Sequence, residues 1–317
     1  MLRLLTALVL AIGATQTSFA QEQPNFSTES ELVVLHVAVR DKKGGYVGGL
    51  TQEAFRVSEN KQPQAISFFN DQDAPVTVGL LIDSSGSMGP NRTMVIAASL
   101  AFTKAMNTHD EFFVLGFNED IHTPLPPTAP FTHYEPTLRV ALAQAIKADG
   151  QTAIYNAIRA GLGYVSKGSF GRHVLVVVSD GGDNASSVTR AQVLAAAQAS
   201  NAVIYTIALV DPIDSDADPG FLAELASISG GVAFRPRAAG DVEGILQRVA
   251  RDIRNMYTIG YAPADGDAAR SRSAPTARKD ELRRVSVEAR LPSGQKLAVR
   301  TRRAYLADDE ETQSDAR

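Results

Sequence analysis

Asp83-Ser84-Ser85-Gly86-Ser87 gathers one carboxylate and alternating hydroxyls on a segment that Gly86 lets bend tightly. These are hard oxygen donors, which suit Mg²⁺, Ca²⁺ or Mn²⁺ better than zinc or copper. The same residue types also cap helices, and Pro90 follows, so this segment alone reads equally well as a helix N-terminus. Two further segments add donors. Gly150-Gln151-Thr152 sets a hydroxyl just before a helical pattern, and Ser179-Asp180-Gly181-Gly182-Asp183-Asn184 sets a carboxylate at the end of an apolar run. In a doubly wound sheet the three segments meet above one crevice, which brings together Asp83, Ser85, Ser87, Thr152 and Asp180.

Other chemistries find little support. The chain has no cysteine, so disulfide frameworks, thiol nucleophiles and cysteine-held metals are excluded. The histidines at 36, 109, 122, 133 and 173 lack metal-binding spacing. There is no GxxxxGK phosphate loop, no GxGxxG after a strand and no GxSxG elbow. Asp83-Ser84-Ser85 lacks the second Asp of a phosphatase DxDx motif. With no base and nucleophile to pair, an enzyme is not expected.

The elements that must position these donors follow from the apolar pattern. The 317 residues carry 31 Lys plus Arg against 35 Asp plus Glu, and 44% are hydrophobic. That suits a globular protein with one large domain and a smaller module, and the mild acidity argues against nucleic acid as partner. Residues 76–82, 112–117, 173–179 and 202–210 are continuously apolar, as strands covered on both faces are. Helical patterns alternate with them: Val95, Ala98, Phe102 and Met106; Ile154, Ile158, Leu162 and Val165; then 190–200, 221–229 and 241–255. The proline-rich stretch 123–132 reads as a loop or an edge strand. An α/β fold with a doubly wound, mostly parallel sheet results.

The flanks read differently. Residues 29–70 suggest a small antiparallel β module, and residues 283–289 and 297–300 a hairpin across Pro292-Ser293-Gly294. Either alone has few strands, so the two ends are expected to pack into one sandwich that holds the α/β domain as an insertion. Arg3, the apolar run 4–12 and the later Ser18-Phe19-Ala20 before Gln21 resemble a cleaved secretory signal; the run is about half the ~20 residues that span a bilayer. The expected organisation is a signal peptide at 1–20, an N-terminal β module at 21–73, the α/β domain at 74–256, a C-terminal β segment at 257–306 and a disordered acidic tail at 307–317. The protein is expected to be exported, periplasmic or secreted, with no transmembrane segment after cleavage.

With its three-part oxygen motif, the stretch from about 75 to 255 resembles a von Willebrand factor type A (vWA) domain with a metal-ion-dependent adhesion site. The flanks, including Val39-Arg40-Asp41-Lys42-Lys43-Gly44 and Tyr257-Thr258-Ile259-Gly260-Tyr261, resemble the secreted bacterial von Willebrand factor A-related family first noted in Acidobacteria. The resemblance implies Mg²⁺, or Mn²⁺, bound directly by Ser85 and Ser87, directly or through water by Thr152, and mostly through water by Asp83 and Asp180. It also implies a protein ligand whose Asp or Glu carboxylate completes the coordination, and a shift of the helix at 241–255 coupled to it. The alternative is a structural or envelope-assembly component, in which the metal braces loops and the β modules make the contacts. Gln151 and Asn156 depart from the common pattern, where a Gly and an Asp are frequent.

Overall fold

The computed structural model describes residues 32–147, 149–210, 216–263 and 282–306. The expected signal segment, the polar leader, the loop beyond 263 and the acidic tail lie outside the described residues. The chain opens with strands β1 (Val33–Arg40), β2 (Phe55–Glu59), β3 (Gln62–Gln64) and β4 (Ile66–Asn70). It then alternates: β5 (Thr77–Asp83), α1 (Arg92–Ala105), β6 (Glu111–Phe117), β7 (Ile121–His122), α2 (Glu135–Ala145), α3 (Ile154–Val165), β8 (His173–Ser179) and α4 (Arg190–Ala199). After β9 (Val203–Ala208), α5 (Pro219–Ser229), β10 (Ala233–Phe234) and α6 (Val242–Arg254) come β11 (Met256–Tyr261), β12 (Leu282–Ala289), β13 (Ala298–Arg300) and β14 (Ala304–Leu306).

The middle of the chain forms one six-stranded sheet in the order β10-β9-β8-β5-β6-β7, parallel except for β7. All seven residues of β5 are buried, because helices cover both faces. Strand periodicity splits its apolar side chains between two cores. Val78, Leu80 and Ile82 meet α1, α2 and α6 through Phe102, Leu142 and Val249. Leu81, with Leu175 and Val177 of β8, meets α3, α4 and α5 through Ile158, Val193 and Leu225. Each such side chain contributes roughly 1.5–3 kcal/mol on burial, so this sheet is a stiff platform for the loops at its ends.

Both ends of the chain build a second body. Its sheets run β13-β1-β11-β4 and β14-β12-β2-β3, with Leu35, Phe55, Val57, Ile259, Val285 and Ala289 between them in one core. Phe55, Phe69 and Tyr257 pack with ring centroids 5.0 to 5.9 Å apart. Within residues 32–70, β1 and β4 join one sheet while β2 and β3 join the other. One local expectation is corrected: residues 283–289 and 297–300 are no hairpin. Beyond the single bridge Arg290↔Lys296, β12 pairs with β2 and β14, and β13 pairs with β1. The bend around Gly294, at φ +83°, carries the chain from one sheet to the other, so Ala289 and Leu297 enter the shared core from opposite layers.

The stretch 123–132 holds no strand, and the two-residue β7 lies just before it. Among the described residues no helix is long and apolar enough to cross a membrane.

Candidate metal centre

β5 and β8 are neighbours in the sheet, yet the chain leaves them in opposite directions, β5 toward β6 and β8 toward β9. A crevice opens where strand order reverses, at the carboxyl ends of the strands. Asp83 ends β5 and Asp180 follows the end of β8, so strand register alone delivers both carboxylates there.

The helix-cap reading of the first segment does not hold. A 3₁₀ turn at Gly86–Asn91 separates it from α1, and neither Ser85 nor Asn91 caps a backbone N–H with its side chain. The polar groups turn to one another instead. Ser85 Oγ and Ser87 Oγ lie 3.1 Å apart, and Ser87 Oγ donates to Asp180 Oδ2 at 2.9 Å. Asp83 Oδ1 accepts from the Ser85 N–H at 2.9 Å, and Asp83 Oδ2 from Ser179 Oγ at 2.6 Å. Burial, partly offset by those hydrogen bonds, pushes the Asp83 carboxyl up to about 6. Asp83, Ser85 and Asp180 are buried while Ser87 is exposed, so the cluster opens to solvent on one side.

Thr152 forms no hydrogen bond with these four among the described residues. Its segment is held in two directions. The Gly86 N–H donates to the Gly150 carbonyl at 3.4 Å, while the Thr152 N–H donates to Asn184 Oδ1 at 2.9 Å. The N–H groups of Asn184 and Ala185 return to the Thr152 carbonyl at 3.0 and 3.1 Å. Two glycines make the close approach feasible. Gly150, at φ +80°, lies where a side chain would run into the Glu119 carboxylate, and Gly181, at φ +90°, where one would meet the Asp218 carbonyl.

Sequence reasoning missed the residues that hold this arrangement. Ser179 bridges Asp83 and the Gly181 N–H; Asn118, just past β6, donates to the Asp149 carbonyl at 3.2 Å; Glu119 accepts from the Gln151 N–H at 2.8 Å. Their signal was position, since all three sit at the carboxyl edge that carries Asp83 and Asp180. Asp183 accepts from the Tyr155 N–H at 3.3 Å and from Ser186 Oγ at 2.5 Å, at the start of α3. Asn156, the departure noted in the sequence, accepts from the Val188 N–H at 3.1 Å and so ties α3 to the next loop.

The donor chemistry fits a hard divalent cation. Ser85 Oγ, Ser87 Oγ and Asp180 Oδ2 follow one another at 3.1 and 2.9 Å, a run of hard oxygen atoms of the kind such cations prefer. No group of three or more His, Cys, Asp or Glu side chains placed to hold a metal occurs among the described residues; two carboxylates and three hydroxyls make up the candidate set.

The von Willebrand factor type A domain model matches residues 78–248, more than half of the chain and the whole crevice-bearing sheet. The chain belongs to the von Willebrand factor type A domain family. Its vWA domain follows the family arrangement of a mostly parallel sheet between two helical layers. Among solved structures the chain is similar to a von Willebrand factor type A protein from Catenulispora acidiphila, at 13% identity and TM-score 0.49, over 88% of this chain and 74% of that one. It is also similar to the vWF domain of the type V pili tip protein Mfa5 from Porphyromonas gingivalis, at 14% identity and TM-score 0.46, over 57% of this chain and 97% of that one. A third is proximal thread matrix protein 1 from the mussel byssus, solved with a zinc-occupied MIDAS motif, at 14% identity and TM-score 0.47, over 57% and 48%. No curated protein matches the sequence.

Proposed function

We propose that Asp83, Ser85, Ser87, Thr152 and Asp180 form a metal-ion-dependent adhesion site for Mg²⁺ or Mn²⁺, through which the vWA domain binds an Asp or Glu of a protein partner. In this reading the protein is an exported binding module, periplasmic or secreted and of the Acidobacterial von Willebrand factor A-related kind, and not an enzyme. The observation that carries it is the Ser85–Ser87–Asp180 chain of oxygens, buried on one side and open at Ser87 on the other. With hydroxyls dominating the donors, the bound ion stays electrophilic enough to accept a partner carboxylate. The chain's own residues set that up: Ser179 and the Ser85 N–H orient Asp83, and the Gly182 N–H holds Asp180 Oδ1 at 2.9 Å, leaving Oδ2 for the cluster.

The test is thermal unfolding with Mg²⁺, Mn²⁺ or Ca²⁺ against a chelator, beside Ser85→Ala/Ser87→Ala. At about 100 Kd of metal the parent gains roughly 2.7 kcal/mol, and the double variant gains none. A shift that survives both substitutions overturns the site; partner capture that survives them moves binding to the β strands, as the assembly alternative requires. Deleting residues 21–70 would not test that alternative cleanly, because β1 to β4 are four of the eight sandwich strands.

A further inference from the structure

Far along α6 from its first turn, a half-open pocket of about 430 Å³ lies between that helix, β10 and the sandwich strands β1 and β13. Its wall is apolar at Val232, Phe234 and Val299, and four arginines line it: Arg40, Arg248, Arg251 and Arg300. One carboxylate, Asp252, faces them, and it is already saturated. Tyr46 at 2.7 Å and Arg40 at 3.1 Å donate to Oδ1, while Tyr205 at 2.6 Å and Arg300 donate to Oδ2.

Arg248 and Arg251 are left over. Arg248 lies over the Phe234 ring, 5.3 Å from its centroid, which orients the guanidinium without neutralising it. Neither arginine forms an ion pair or a side-chain hydrogen bond among the described residues. Four guanidiniums around one carboxylate leave the lining with a formal charge of +4 − 1 = +3. Such a lining is stabilised by an oxyanion, and guanidinium forks match carboxylate and phosphate oxygens two at a time. The volume lies in the range of small-ligand pockets, and an apolar wall with a few convergent polar groups is their usual construction. Arg248 and Arg251 are exposed, so a ligand reaches them directly from solvent.

We propose that this cavity binds a small organic anion, its carboxylate or phosphate head on Arg248 and Arg251 and its apolar body against Phe234 and Val299. The site is separate from the oxygen cluster and does not depend on a metal there. It is tested by calorimetry on the full chain, in chelator and at fixed ionic strength, with benzoate, phenyl phosphate and inorganic phosphate as probes. Benzoate or phenyl phosphate should bind saturably, and their relative affinities assign the head group. Arg248→Gln/Arg251→Gln should weaken that binding at least tenfold with an unchanged melting temperature, while Arg284→Gln, on the exposed surface of β12, leaves it intact. No saturable binding, or equal losses in the two variants, overturns the site. Inorganic phosphate binding as tightly as phenyl phosphate overturns the role of the apolar wall.

Discussion

Ser179 shows how a residue outside a donor set governs it. Its hydroxyl donates to Asp83 Oδ2 and accepts from the Gly181 N–H at 3.0 Å, so it fixes both the buried carboxylate and the turn that carries Asp180. Ser179→Ala should weaken Mg²⁺ binding about 10- to 100-fold, read by metal titration of the melting temperature, with the fold preserved. An unchanged affinity would show that Asp83 needs no such orientation. His36 gives a second prediction. It is buried on β1, its Nε2 has no partner among the described residues, and burial together with the charges of Arg172, His173 and Arg302 lowers its pKa to about 3. A histidine held neutral in the fold but free to protonate when unfolded contributes fully above its ordinary value near 6.5, and that contribution is lost as pH falls below it. Relative to His36→Leu, the parent should lose about 2 kcal/mol between pH 7 and pH 5 in urea unfolding; parallel curves would refute this. The five candidate donors stand out in the sequence because their types and spacing are unusual, whereas only its place at the end of an apolar run marks Ser179, and a His in a strand, such as His36, carries no mark of what it will face.

Strands and helices were legible where they are long enough to show a period. In α6, Val242, Ile245, Leu246, Val249 and Ile253 form a continuous buried stripe. Asp252 interrupts that stripe, and its four donors come from β1, the turn after it, β9 and β13, which no local pattern announces. Burial works to raise the Asp252 carboxyl, but Arg300 and the hydrogen bonds from Tyr205, Tyr46 and Arg40 outweigh it and hold it below the ordinary carboxylate range. Its stabilisation is therefore complete above about pH 4 and lost as pH drops further. Asp252→Ala should cost about 2–4 kcal/mol in urea unfolding, because it strands the buried Tyr205 hydroxyl and the half-buried Arg40 and Arg300 guanidiniums; under 1 kcal/mol would mean that they find other partners. β7, β10 and β14 span two or three residues each, too few for any periodicity. The same limit explains the misassigned hairpin: alternation in residues 283–289 tells which face is apolar but not which strand lies alongside.

Joining the two chain ends in one sandwich was legible in outline, because neither end has enough apolar strands to stand alone. The buried Glu59 shows how firmly they are joined. It accepts hydrogen bonds from Tyr261 and Tyr305 at 2.7 Å each and pairs with Arg283 at 3.1 Å, so β2, β11, β12 and β14 converge on one carboxylate. Native-state hydrogen exchange should show these four strands opening with similar free energies; a β14 that exchanges freely while β2 stays protected would contradict the shared core. This closure also sets a schedule for the newborn chain. Glu59 and Tyr305 are 246 positions apart. At synthesis rates of roughly 5–20 residues per second, the carboxylate waits about 10 to 50 s for its last partner, long enough for the intervening vWA domain to fold first. The N-terminal strands then depend on residues that emerge after the whole vWA domain, so a chain cut before β12 would carry an open sheet edge beside its α/β domain, the kind of surface that aggregates or recruits a chaperone.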